Sequence, residues 1–199
     1  MVSGIVLAAG ASSRMGRAKA ALPLDRTGET VVGRVIKTLV EGGTTGGVVV
    51  VAGAHVDAVR AAMPHEPRAR LIEHPGWAQG QLSSLLAGLR AVDDPRLEAV
   101  IVTPVDVPLV APSTVAALIE AWRRTRAPIV RPVDRDRHGH PVIFDAAVFG
   151  DLRTADPGVG AKAVFATHRD HVLNVEVSDA GAFEDIDTPA DYQRLIGRG

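Results

Sequence analysis

Three short apolar runs rich in β-branched residues, at 5–9, 48–52 and 100–105, alternate with segments whose apolar positions recur at helical spacing. Continuous apolar runs of this length, bounded by turn residues, predict strands buried on both faces of a parallel sheet. Between them, Val32, Val35, Ile36, Leu39 and Val40 form one helical stripe, Leu82, Leu85, Leu86 and Leu89 a second, and Val115, Leu118, Ile119 and Trp122 a third. Gly42 and Gly43 follow the first stripe as a helix stop, and Pro112 with Ser113 opens the third. This β-α-β-α order predicts an α/β fold, Rossmann-like and doubly wound, with a mostly parallel sheet and helices on both faces.

After Arg126 the pattern changes. Segments 129–133 and 141–144 predict an antiparallel strand insertion across the charged loop 134–139. Short helices at 146–152 and 160–167, a strand at 172–177 and a last helix from Pro189, with Thr188 as its N-cap, complete the prediction. No internal repeat interrupts the series, so residues 1–199 read as one domain.

Of the 199 residues, 46% are hydrophobic but only 4% aromatic, so the core must be aliphatic. With 22 basic and 23 acidic residues, no chain-wide positive field exists to hold a nucleic acid, and any polyanion site must be local. The absence of cysteine excludes disulfides, thiolate metal sites and a cysteine nucleophile, and fits a reducing, cytoplasmic setting. No run of about 18 apolar residues suits a membrane span, and no basic leader precedes the first strand, so no membrane partner is expected.

The candidate chemistry concentrates after the first strand, in Leu7-Ala8-Ala9-Gly10-Ala11-Ser12-Ser13-Arg14-Met15-Gly16-Arg17-Ala18-Lys19. In an open α/β sheet the carboxyl ends of strands border the ligand crevice, and small residues there let backbone N–H groups approach phosphate oxygens. Arg14, Arg17 and Lys19 add three cations, and only three of the 22 basic residues, Lys19, Lys37 and Lys162, are lysines. The dinucleotide fingerprint fails at Ser12 and the P-loop pattern fails at Met15. On spacing alone, a polar strand-to-helix turn with solvated charges is an equal reading. Asp106, in Thr103-Pro104-Val105-Asp106-Val107-Pro108, falls at the same predicted sheet edge, where it suits either a turn or a hard-oxygen ligand.

The pattern Leu7-Ala8-Ala9-Gly10-x-Ser12-x-Arg14-Met15-Gly16-x-x-Lys19-x-x-Leu22-Pro23-Leu24 resembles the signature of nucleotidyltransferases that activate a phosphorylated substrate with a nucleoside triphosphate, above all the molybdenum cofactor cytidylyltransferase branch. Ala9, where the guanylyl branch more often has Gly, leans toward CTP. The resemblance implies that Arg14, Lys19 and Asp106 are catalytic. It implies that Leu7, Ala8, Ala9, Gly10, Ser12, Ser13, Arg14, Lys19, Gly53, Gly80 and Ser84 border the nucleotide. The closing Asp185-Ile186-Asp187-Thr188-Pro189 implies Mg²⁺ on Asp106 and Asp185, with Asp187 the second choice. Val107 departs from the family, where Gln commonly follows the metal-binding Asp.

Elements similar to the branch's Gly-His-Pro and Asp-x-Gly-Ala-Arg assign His140, Gly158, Gly160, Ala161 and Lys162 to the acceptor side. Residues 1–110 would then mainly hold the nucleotide, and 111–199 the acceptor and closing metal motif. Taken alone, Ser83 or Ser84 reads as a helix cap, Asp185 and Asp187 as helix-dipole acids, and His140 as a strand-entry residue. The expected partners are a nucleoside triphosphate and a phosphorylated small-molecule acceptor such as molybdopterin, with a molybdoenzyme or its chaperone as the recipient to test. A guanylyl or sugar-phosphate nucleotidyltransferase is the alternative enzyme, and a non-catalytic nucleotide-binding module the alternative class.

Overall fold

The computed structural model describes residues 1–197 apart from residue 26. Its strands are β1 (Val2–Ala8), β2 (Val48–Ala52), β3 (Ala69–Glu73), β4 (Ala99–Pro104), β5 (Ile129–Asp134), β6 (Arg137–His138), β7 (Val142–Asp145) and β8 (Val172–Glu176). The helices are α1 (Val31–Glu41), α2 (Val56–Ala61), α3 (Gln81–Ala91), α4 (Pro112–Thr125), α5 (Phe149–Thr154), α6 (Lys162–Thr167) and α7 (Pro189–Ile196). The strands form one sheet in the order β3-β2-β1-β4-β7-β5-β6, with β8 also on β5. The β3-β2-β1-β4 half is parallel; β7 runs antiparallel between β4 and β5, and β8 lies parallel to β5.

Period-two alternation builds two cores. Val2, Val6 and Ala8 of β1 face a cluster covered by α1, α2, α4 and α7, while Ile5 and Ala9 face one covered by α3, α5 and α6. This is the predicted doubly wound arrangement, with the predicted antiparallel insertion pairing Ile129 with Phe144. On the second face α3 approaches β1 so closely that a Cβ on Gly88 would lie 2.6 Å from Ile5 Cγ2. On the first, buried Trp122 donates from Nε1 to Asp145 Oδ2 at 2.9 Å, fixing α4 to the end of β7.

Several local expectations are corrected. Neither Ser83 nor Ser84 caps α3: its N-cap is Gly80, at φ 101°, with no side-chain cap. Ser83 instead donates to the Gly80 carbonyl at 2.7 Å, and Ser84 is buried. The predicted helix at 146–152 divides into a 3-10 turn, Ala146–Val148, and α5. The predicted helix at 160–167 starts two residues later, at Lys162, because Gly160 adopts φ 71°. Elements β3, β6 and α2 carried no sequence prediction.

Candidate active site

The carboxyl ends of neighbouring parallel strands β1 and β4 open a crevice where the chain direction of sheet order reverses, the usual ligand position in open α/β sheets. The loop after β1 supplies one wall. Ser12 sits at φ 51°, a left-handed conformation, and its carbonyl receives the N–H groups of Met15 and Gly16 at 2.9 and 3.1 Å. The Ser12 hydroxyl accepts from the Lys19 amide at 3.3 Å, which draws the two ends of the loop together.

A cavity of about 420 Å³ lies against this loop. Leu7, Ala8, Ala9, Gly10, Ser12 and Lys19 border it from the loop, Gly80 and Ser84 from the start of α3, and Asp106 from beyond β4. The structure therefore brings together most of the residues predicted to border the nucleotide. Ser13 and Arg14 lie outside the lining. Gly53 also lies outside, for a steric reason: a Cβ there would meet Trp77 Cβ at 2.6 Å and the Ala9 carbonyl oxygen at 2.7 Å. Gly53 thus admits Trp77, and Trp77 forms the wall. Trp77, which opens the segment 77–89 that resembles the family's nucleobase-reading segment, lines the cavity, as does His55, which formed no constellation in the sequence.

At one end of this cavity the charges are paired. Lys19 Nζ donates to Asp187 Oδ1 at 2.6 Å and Asp106 Oδ2 at 3.4 Å, with its side chain only 11% exposed. Arg14 pairs with Asp187 Oδ2 at 2.8 Å from a side chain that is 67% exposed. Asp187 is placed by the start of α7, where Thr188 and Asp191 form a reciprocal capping box and Asp191 also accepts from the Asp187 amide. Asp185 and Asp187 flank buried Ile186, whose N–H donates to the Asp106 carbonyl at 2.8 Å. This segment belongs to no named strand, yet it keeps both acids near Asp106.

Burial raises the Asp106 carboxyl above its ordinary range; the Lys19 charge and hydrogen bond oppose that shift, and Asp187 and Asp185 reinforce it. Asp187 is shifted the other way, chiefly by its hydrogen bond from Lys19. Among the described residues no group of three or more His, Cys, Asp or Glu side chains is already arranged around a metal position. The donor chemistry nevertheless fits a hard divalent cation, which commonly takes one or two carboxylates and completes its shell from phosphates and water. Asp106, crowded by two other carboxylates and paired with a single lysine, has the required oxygen and surplus negative charge.

A second cavity, of about 410 Å³, shares Leu7, Gln81 and Pro104 with the first. All five residues predicted for the acceptor side, His140, Gly158, Gly160, Ala161 and Lys162, line it. Its inner wall is apolar, with Phe144 and Phe165 in edge-to-face contact, centroids 5.8 Å apart. His140 Nδ1 is buried without a hydrogen-bond partner, and burial lowers the ring's proton affinity while Asp185 opposes that shift. His138, two residues before His140, is exposed on β6.

Comparison with known proteins gives this geometry a context. Residues 4–172 match the MobA-like NTP transferase domain family. The chain is 32% identical over 201 residues to nicotine blue oxidoreductase of Paenarthrobacter nicotinovorans, covering 98% of this chain and 96% of that protein. It is 27% identical to the molybdenum cofactor cytidylyltransferase of Escherichia coli, over 94% of this chain and 92% of the relative. Identity is 33% to a probable molybdenum cofactor guanylyltransferase of Mycolicibacterium paratuberculosis, over 69% of this chain and 66% of that one. Rv0371c of Mycobacterium tuberculosis superposes with TM-score 0.81 at 30% identity, covering 98% of both chains, and has also been solved as a manganese complex. The chain belongs to the MobA-like NTP transferase domain family.

Proposed function

We propose that the protein transfers a nucleoside monophosphate, CMP in preference, from its triphosphate to the phosphate of a molybdopterin-type acceptor. The observation that carries this reading is the convergence of Arg14, Lys19, Asp106 and Asp187 beside a cavity that shares a wall with a second one. The first cavity, in the half of the chain before residue 110, suits the nucleotide; the second takes the acceptor, with Lys162 and His140 as its polar contacts. Ala9 supports CTP, whereas the guanylyltransferase relative keeps GTP as the alternative donor.

In this reaction an acceptor phosphate oxygen bonds to the α-phosphorus while the bond from that phosphorus to the β-bridging oxygen breaks, and pyrophosphate leaves. The attacking oxygen is already anionic, so no general base is required. Lys19 and Arg14 leave their carboxylate partners for the triphosphate and stabilise the charge that gathers on its oxygens. Asp106 with Asp185, or with Asp187, would hold Mg²⁺, which supplies further neutralisation of phosphate charge. Gly10 and Gly80, where an added Cβ would meet nothing within 4 Å, leave room for close approach of the nucleotide.

The direct test is pyrophosphate release with Mg²⁺ across CTP, GTP, ATP and UTP, with and without molybdenum cofactor or sugar 1-phosphates. Release that requires CTP and molybdenum cofactor is expected. Lys19→Ala and Asp106→Ala should remain folded and lose about 10²-fold or more in turnover; full activity in either would refute their assignment.

A second reading comes from the Paenarthrobacter relative and the aromatic wall of the second cavity, which could receive a flat ring for reduction by a nicotinamide nucleotide. NAD(P)H binding and oxidation, with no pyrophosphate release from any pair, would favour it.

A further inference from the structure

The turn after β2 takes hold of the loop after β1 at alternate carbonyls. The Ala54 N–H donates to the Ala9 carbonyl at 3.1 Å, and the His55 ring meets the Ala11 carbonyl through Nε2 at 2.8 Å. A carbonyl oxygen can only accept, so the Nε2 proton of His55 is the donor in this contact. In a trans peptide the C=O and the following N–H point to opposite sides. Drawing out the Ala9 and Ala11 oxygens therefore turns the Gly10 and Ser12 N–H groups away from the β2 turn. Neither N–H donates a hydrogen bond among the described residues. Both residues line the first cavity, at whose charged end Lys19 stands.

We propose that His55 is a positioning residue for polyphosphate, its Nε2–H fixing the Ala11–Ser12 peptide so that the Ser12 N–H is presented to a phosphate oxygen. The proposal rests on the nucleotidyl-transfer reading and adds to it a residue that never needs to touch the reacting atoms. His55 stands at the N-cap of α2, but its side chain makes no helix-cap hydrogen bond. Its contact with the loop lies 44 residues away in sequence. Holding the peptide in advance removes a reorientation that binding would otherwise have to drive.

The test uses inorganic tripolyphosphate as the probe, because it has phosphates but no base to read. Its affinity in the presence of Mg²⁺ is measured by calorimetry for the unaltered protein, His55→Phe and His55→Gln. The Phe variant keeps a ring without a donor; the Gln variant places an amide N–H near the Nε2 position. His55→Phe is expected to weaken tripolyphosphate and all nucleoside triphosphates alike by about tenfold, with Tm unchanged, and His55→Gln should restore most of the loss. Unchanged affinity in His55→Phe overturns the proposal. So does failure of His55→Gln to rescue, or a loss confined to one base, which would make the residue a base reader. The Ser12 amide resonance of the unaltered protein gives a check that needs no variant: it should move downfield with tripolyphosphate, and a fixed resonance also overturns the assignment. If the unaltered protein binds no tripolyphosphate, the nucleotidyl-transfer reading falls together with this one.

Discussion

Lys19 is one cation serving two acids of opposite disposition. Burial and two neighbouring carboxylates raise the Asp106 pKa, whereas Asp187 is held below its ordinary value, mainly by Lys19 itself. Lys19 lowers both, so Lys19→Ala should raise both, most clearly at Asp187, where the lysine is the largest influence. Carboxyl NMR titrations of the two proteins check this, and an unmoved Asp187 would show that the pairing is absent in solution. The sign for folding differs between the acids. The depressed Asp187 adds stability above its unfolded pKa that is lost as pH falls through the folded value; the raised Asp106 opposes folding while charged and relents on protonation. These acids were visible in the sequence as Asp106 before Pro108 and as the run Asp185-Ile186-Asp187. Their partners were not, because Lys19 and Asp187 lie 168 residues apart, and because an extended chain, as expected from the sequence, would put Asp185 and Asp187 on the same side. His55 escaped notice for a similar reason: a histidine whose partner is a backbone carbonyl leaves no signature in residue types.

The element that carries Asp187 into the site is α7, and its start is specified locally. Thr188 accepts from the Asp191 amide while Asp191 accepts from the Thr188 amide and hydroxyl, and Pro189 occupies the first turn. Tyr192 then donates to the Pro23 carbonyl at 2.6 Å and lies under Arg17, so the helix is fastened to the far end of the same loop that holds Lys19. Thr188→Ala should cost about 1 kcal/mol. It should also lower activity more than that stability loss explains, because Asp187 is the next residue; denaturant melts beside turnover measurements separate the two effects. Asp191 is held at about 2 by the Thr188 hydroxyl and amides. Its contribution is accordingly complete above its unfolded value and fades only as pH falls toward 2. The cap was legible from Thr188-Pro189 alone. By contrast β3 was not: none of its residues is fully buried, and Arg70 interrupts its apolar run, as expected for a strand at the sheet edge. The short α2 buries only Val59, too little for a helical stripe to show.

At the scale of the whole molecule, the doubly wound half was readable because strands covered on both faces are mainly apolar: β2 is so throughout, and β1 and β4 are so apart from buried Ser3 and Thr103. The placement of β7 between β4 and β5 was not readable. An antiparallel pair was expected from residues 129–144, but which of its strands adjoins the parallel half depends on long-range packing, including the Trp122–Asp145 bond. That placement matters, because β7 brings His140 and Phe144 beside Leu7 and Pro104, and so builds the second cavity next to the first. The two cavities have a common boundary in Leu7, Gln81 and Pro104. A joined product would lie across that boundary and keep the contacts of the acceptor together with those of the nucleoside and α-phosphate, each set raising the effective concentration of the other, while the contacts to the β- and γ-phosphates leave with pyrophosphate. Under the proposed reaction the product is held on both sides of the boundary, and its departure is expected to limit the cycle. Rapid-mixing kinetics should show a burst of pyrophosphate, close to one per protein molecule, before a slower steady rate. The enzyme would then be suited to handing its product to a receiving protein that draws it out, rather than to releasing it freely into solution.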